Sequence, residues 1–330
     1  MIASLVMTPI AKKIAYKVGA IDIPKDDRRV HKTPIPRMGG IAIYLGFVIS
    51  MMISLPIEKK MMGMLAGATL IVIIGIIDDM RPLSAKVKLM GQVLSACILV
   101  YCGIRIGGFT IPFTDKSIDL SILSIPVTIF WIVGITNTLN LIDGLDGLAA
   151  GVSTIAAFSL SYVAYANDRP EAVIFITLAI AGSSLGFLPY NFNPAKIFMG
   201  DTGSLFLGYM LAAISIEGTM KGATAIVTIV PVLALGLPIF DTTFAILRRI
   251  ANGRPIMEPD KGHLHHRLLS TGMGQKRTVL TLYAISTIFG LSAALVSNSK
   301  SLYFVVTILL ISAIMYLGVN SKKSLRQKNK

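Results

Sequence analysis

The chain has 330 residues, 54% of them hydrophobic and 15% charged, with a mean hydropathy of +0.72. Soluble domains carry about a quarter charged residues, so this composition excludes an ordinary water-soluble fold and implies an all-α polytopic membrane protein. The charge is lopsided, 31 Lys and Arg against 17 Asp and Glu, which fits nucleic acid, anionic lipid, an anionic substrate or membrane topology, depending on where the cations sit. Cys97 and Cys102 share one apolar run, which excludes a disulfide framework.

In chain order, apolar stretches near the 20 residues needed to cross about 30 Å of hydrocarbon fall at 39–57, 61–77, 88–104, 122–139, 148–166, 172–188, 202–216, 223–247, 279–297 and 302–319. A shorter piece at 1–11, ending at Thr8-Pro9, is a signal-like anchor, a clipped span or a re-entrant segment, and counts as a first span. The expected architecture is therefore a bundle of 10–11 transmembrane helices. Pro231, Gly236 and Pro238 should break the ninth. In the loop at 105–121, Phe109, Ile111 and Phe113 alternate with Thr110, Pro112 and Thr114 before a turn-like Asp115-Lys116, which predicts a small external β-hairpin. No repeat or linker divides the chain, which reads as one membrane domain over 1–330 with a basic tail at 320–330.

With eleven spans, 24 of the 31 basic residues fall on one side. That asymmetry makes this side cytoplasmic and places the C-terminus there. All four histidines, His31, His263, His265 and His266, belong to it, as do carboxylates at span ends: Asp78 and Asp79, Asp143 and Asp146, and Asp201. Ionisable groups at such depths are costly unless paired, hydrated or metal-bound, so the pattern marks a polar site at the inner face.

Each cluster has two readings. The segment 140–147 leaves one helix and enters the next through Asp143-Gly144 and Asp146-Gly147, and Asn140, Asp143 and Asp146 supply the hard oxygens that Mg²⁺ prefers beside phosphates. A helical hairpin with Asp146 as N-cap is the plain alternative. Asp201 is either a helix cap or a metal ligand beside a phosphate held at a helix N-terminus. Asp78 and Asp79 are either a solvated helix end, with Asp79 paired to Arg81, or a pair that divides cation holding from proton acceptance. The 263–266 histidines lack the His-Glu-x-x-His spacing of zinc proteases and suit a diphosphate substrate better. Asp241, in the broken ninth span, is either a transport site or a hydrogen-bonded structural acid, and the second fits better.

At this point the chain is recognisable. His31-Lys32-Thr33-Pro34-Ile35-Pro36-Arg37-Met38-Gly39-Gly40, Asp78-Asp79 with Leu83 and Lys88-Leu89, NLIDGLDGLAAG from Asn140, FMGDTGS from Phe198 and HLHHRL from His263 together resemble the polyprenyl-phosphate N-acetylhexosamine-1-phosphate transferases. The His-x-His-His loop and the Asp241 helix look like the bacterial branch that makes undecaprenyl-diphosphate-GlcNAc. The resemblance implies a cytoplasmic site in the bacterial inner membrane and transfer of GlcNAc-1-phosphate from UDP-GlcNAc to undecaprenyl phosphate with release of UMP. UDP-GalNAc or UDP-MurNAc-pentapeptide is the alternative donor. It further implies Mg²⁺ or Mn²⁺ on Asp143 and Asp201 with Asn140 nearby; Gly144, Leu145, Asp146 and Phe198 around the uridine; and Lys88 on phosphate. His263, His265 and His266 would meet the diphosphate or sugar, Asp78 would deprotonate or position the lipid phosphate, and Asp79 would orient Lys88. The implied partners are a UDP-N-acetylhexosamine, undecaprenyl phosphate and membrane lipid, with no nucleic acid and room for a homodimer. Direct attack on the β-phosphate and a covalent aspartyl intermediate both stay open. A secondary transporter is the rival of another class, but its site should lie near the bilayer midplane, whereas these carboxylates crowd one face.

Overall fold

A computed structural model describes residues 1–24, 33–56, 58–110, 117–218, 226–255 and 262–298. The expected span at 302–319, the basic tail, His31 and the tip of the 105–121 loop lie outside them. The helices Lys59–Met80, Ser121–Ile142, Leu148–Ala166, Glu171–Asn191 and Gln275–Ser297 are each long and apolar enough to cross a membrane, and Gly40–Ser54 is apolar but shorter. The protein is thus a helical, multi-pass membrane protein.

The chain begins with α1 (Ile2–Val18), passes the short strands β1 (Ile21–Asp22) and β2 (Ile35–Pro36), and continues as α2 (Gly40–Ser54), α3 (Lys59–Met80) and α4 (Ala85–Tyr101). Strands β3 (Gly108–Thr110) and β4 (Ser117–Asp119) pair antiparallel, Phe109 opposite Ile118, ahead of α5 (Ser124–Ile142), α6 (Leu148–Ala166), α7 (Glu171–Asn191) and α8 (Gly200–Gly218). Helices α9 (Ile226–Ala234) and α10 (Gly236–Ala251) meet at Leu235, and α11 (Leu264–Ser270) and α12 (Gln275–Asn298) close the described chain.

The centre of the bundle is α8, buried from Thr202 to Gly218 and packed on α2, α3, α5, α6 and α7. Small residues allow that closeness: a Cβ on Gly40 would fall 2.1 Å from the Gly203 nitrogen. In a bilayer, where lipid is as apolar as leucine, such backbone approach replaces hydrophobic driving force.

The first helix is longer than the 1–11 piece expected from sequence. It runs on through Pro9 to Val18 because Ser4, Thr8, Ala11 and Ala15 form one small buried stripe against α2 and α7, while Lys13 and Lys17 point outward. Apolar length alone underestimated it, since packing of the stripe holds the turns that carry the lysines.

Two connections set the site. Strand β1 pairs with β2, and the chain after β2 zips onto the segment before α8: Phe198 N–H donates to Pro36 O at 2.8 Å, and Gly39 N–H to Phe198 O at 2.9 Å. The residues 197–201 are thereby fixed from the other end of the sequence.

Candidate active site

Helices α3, α4, α5 and α8 bring charged termini together. Asp78 and Asp79 end α3 and are 7% and 3% exposed, so the reading of a solvated helix end does not hold. Asp79 is turned toward α8. Its Oδ1 accepts the Asp201 N–H at 3.0 Å, and its Oδ2 accepts the Thr202 N–H at 3.1 Å and the Thr202 hydroxyl at 2.6 Å. It therefore caps α8 from another helix, satisfying amides that the helix cannot satisfy itself. Gly200 admits the carboxylate: its φ is 72°, and a Cβ there would fall 2.3 Å from Asp79 Oδ2. The cation beside Asp79 is Arg37 at 3.7 Å rather than Arg81, and the Arg37 guanidinium also donates to the Asp78 and Asp79 carbonyls at 3.0–3.2 Å.

With Asp79 serving as the cap, the Asp201 side chain is left for the site. Lys88 Nζ reaches Asp201 Oδ2 at 2.9 Å and Asp78 Oδ2 at 3.4 Å. Asn140 Nδ2 donates to Asp201 Oδ1 at 3.2 Å and to Ser204 Oγ at 2.9 Å. The other oxygen of Asp78 accepts the Leu83 N–H at 2.7 Å, which fixes its orientation. The expectation that Asp79 orients Lys88 is corrected: the lysine is held by Asp78 and Asp201, because both oxygens of Asp79 are taken up by α8.

The turn between α5 and α6 carries Asp143. Burial pushes its carboxyl up to about 8, and Asp201, Asp79 and Asp146 add repulsion in the same direction. A site that crowds carboxylates this way suits a cation. Among the described residues no three His, Cys, Asp or Glu side chains gather closely enough to hold a metal by themselves. Asp146 is no N-cap: its Oδ2 accepts Asn193 Nδ2 and the Ala195 N–H, both at 3.0 Å, while the Gly147 N–H is bound by Asn191 Oδ1 at 3.1 Å. Leu145 belongs to the hydrophobic core, so only its backbone can line the site. Phe198 is half-buried where the 197–201 segment meets Arg37.

The histidines join this turn. His265 is 3% exposed, and a Cβ on Gly144 would fall 2.7 Å from its Nε2, so only glycine permits the approach. His263 and His265 stack with centroids 5.8 Å apart, and His265 and His266 lie 4.3 Å apart. Burial, then the neighbouring His266, hold the His265 imidazole down to about 4, so it is neutral at physiological pH. Asp241 Oδ2 lies 2.9 Å from His263 Nδ1, which makes it a hydrogen-bonded acid of the histidine loop and not an isolated intramembrane charge.

The glycosyl transferase family 4 pattern matches residues 61–219. Over 93% of this chain and 86% of the relative, the sequence is 46% identical to a probable undecaprenyl-phosphate N-acetylglucosaminyl 1-phosphate transferase of Bacillus subtilis. It is 36% identical, over 93% of this chain and 83% of the relative, to a decaprenyl-phosphate N-acetylglucosaminephosphotransferase of Mycobacterium tuberculosis. A phospho-N-acetylmuramoyl-pentapeptide-transferase of Halalkalibacterium halodurans is 34% identical over 82% of this chain and 85% of its own length. The chain belongs to glycosyl transferase family 4.

The matched residues, 61–219, include Asp78, Lys88, Asn140, Asp143 and Asp201, whereas Arg37 and the histidine loop fall outside them. Three of the residues that hold this cluster together were not singled out from sequence. Arg37 stood in a basic loop that topology alone accounted for. Thr202 and Ser204 are ordinary helix residues until α3 and α5 are packed against α8.

Proposed function

We propose that this protein transfers N-acetylglucosamine-1-phosphate from UDP-N-acetylglucosamine to undecaprenyl phosphate, giving undecaprenyl-diphosphate-N-acetylglucosamine and UMP, as the first membrane step of a cell-envelope polysaccharide such as teichoic acid or lipopolysaccharide. The observation that carries this reading is the meeting of Asp78, Lys88, Asn140 and Asp201 within hydrogen-bond reach at four helix ends, in a chain so similar to the transferases above. The membrane would be the bacterial plasma membrane. The site would face the cytoplasm, since Arg37, Arg81, Lys86 and Lys88 cluster at the same helix ends and basic residues favour that side.

The donor set fits Mg²⁺, or Mn²⁺ in its place. Asp143 is crowded by like charges, and Mg²⁺ is usually bound by one or two carboxylates together with substrate phosphates, so Asp143 and Asp201 would suffice. The ion, when bound, would neutralise charge on the diphosphate and on the departing UMP. The chain's own groups would do the rest. Asp78, fixed by the Leu83 amide, would hold the lipid phosphate or take its proton, and Lys88 would balance charge between Asp78 and Asp201. An oxygen of the lipid phosphate would bond to the β-phosphorus in line as the bond to UMP breaks. Asn140 would keep Asp201 in place, and Asp79 would fix the start of α8 beneath it. Gly144, Asp146, Phe198 and the Leu145 backbone would frame the uridine, while His263, His265 and His266 would meet the diphosphate or sugar.

The test is to incubate purified protein with Mg²⁺, undecaprenyl phosphate and a panel of UDP-sugars, and to identify the lipid product by mass. A lipid-diphosphate-N-acetylhexosamine with stoichiometric UMP is expected, and UDP-N-acetylglucosamine should be the preferred donor. Release of UMP without a lipid product would overturn the assignment.

A further inference from the structure

Asp241 stands apart from the carboxylate cluster, on the second turn of α10, just after the chain breaks at Leu235. Its mount is firm. The preceding Phe240 stacks on Phe289 of α12 with centroids 5.4 Å apart and planes 17° apart, and a Cβ on Gly236 would fall 2.6 Å from the same ring. From there the carboxylate makes two contacts with the histidine loop: Oδ2 at 2.9 Å from His263 Nδ1, and Oδ1 accepting the Leu264 N–H at 2.7 Å. His263 is the residue before α11 but offers no side-chain cap of its own. The first amide of α11 is capped from α10 instead.

The chain of contact continues from that clamp. The His263 ring stacks on His265 with planes 10° apart, and the His265 Nε2 lies against Gly144, next to Asp143 in sequence. We propose that Asp241 is a positioning residue: by gripping His263 and the start of α11, it seats His265 over the 140–147 turn. It acts through the ring as well as the backbone. In a neutral imidazole the carboxylate holds the proton on Nδ1 and leaves Nε2 as the acceptor, so the same contact sets tautomer and orientation. The chain packs on α12 on both sides of the break at Leu235, and α10 carries the clamp from there.

The inference rests on the proposed transfer reaction for its kinetic arm, and a second arm does not need that reaction. Asp241→Asn keeps an oxygen for the Leu264 amide but turns a donor toward His263, whereas Asp241→Ala removes both contacts. The KM for UDP-N-acetylglucosamine should rise about 10- to 100-fold in Asp241→Asn and in His263→Ala, with kcat changed much less. The double variant should be no worse than the poorer single one. Losses that multiply in the double variant would overturn the proposal. In the second arm, hydrogen exchange is followed by mass spectrometry on the full-length protein in detergent. Asp241→Ala should speed exchange of the 264–270 amides at least tenfold and leave those of 204–216 unchanged, and unchanged exchange in α11 would overturn the proposal. If the wild-type protein makes no lipid product, the transfer reading fails alone and the exchange arm still decides the role of Asp241.

Discussion

Helix α8 carries an acid near each end, Asp201 half-buried and Glu217 buried, and the two ends are built differently. At its last turn Glu217, 7% exposed, forms an ion pair with Lys60 at 3.0 Å. At its first turn Asp78, Asp79 and Asp201 meet Lys88 and Arg37, and Asp143 is crowded by Asp201 and Asp79. Balance of the first kind offsets desolvation and leaves little net charge to use. Surplus of the second kind works against the folded state unless a further cation offsets it, and carboxylates crowded in this way have perturbed protonation. One helix thus joins an ion pair at one end to a crowded carboxylate cluster at the other, and the balance of charge tells them apart.

That contrast predicts a wide separation between variants of the two ends. Asp201→Asn or Asp143→Asn should lower Mg²⁺-dependent UMP release on the order of 1000-fold, with the protein still recovered in the membrane fraction. Glu217→Gln should stay within about threefold of wild type, because Glu217 lies at the opposite end of α8 from the carboxylate cluster. A comparable loss in Glu217→Gln would erase the distinction. Lys88→Met comes next, with a drop of about 100-fold. It should also raise the gain in melting temperature on adding Mg²⁺, since Asp78 and Asp201 would lose their shared counter-charge; an unchanged gain would mean that the lysine does not offset that surplus. Smaller again is Lys60→Met. The Lys60 side chain is 41% exposed, so solvent screens the pair and its loss should lower the melting temperature by about 2–4 °C while activity holds.

The same division governs what could be read from the sequence. Apolar length gave the membrane class and most helices, because crossing hydrocarbon imposes a length that residues must match. It missed the extent of α1, whose last turns are held by the Ser4, Thr8, Ala11 and Ala15 stripe and not by hydropathy. Asp78, Lys88, Asn140, Asp143 and Asp201 were visible as charged and polar residues at span ends. Their division of labour was not, since sequence spacing gives no hint that Asp79 would close over the α8 amides and surrender Lys88 to its neighbour. Nor could Arg37 be separated from its basic neighbours, as its partners are carbonyls more than forty residues away. Contacts across the bundle are where one-dimensional pattern loses its information.

The histidine loop offers the gentlest test, through pH. In the folded protein the His265 imidazole is held down to about 4, mainly by burial, against about 6.5 in an unfolded chain. Between those values the unfolded state binds more protons, so stability rises with pH there and falls as acid is added below about 6.5. The Asp143 carboxyl, raised to about 8, has the opposite sign: protonation relieves its repulsion, so acidification from pH 8 favours the folded state at that turn. A single melting curve mixes the two. A difference between variants separates them: lowering pH from 7 to 5 should cost the wild-type protein about 2–4 °C more than His265→Gln, equivalent to roughly 1–2 kcal/mol. Equal shifts in both would place the acid sensitivity elsewhere and leave the burial of His265 without energetic consequence.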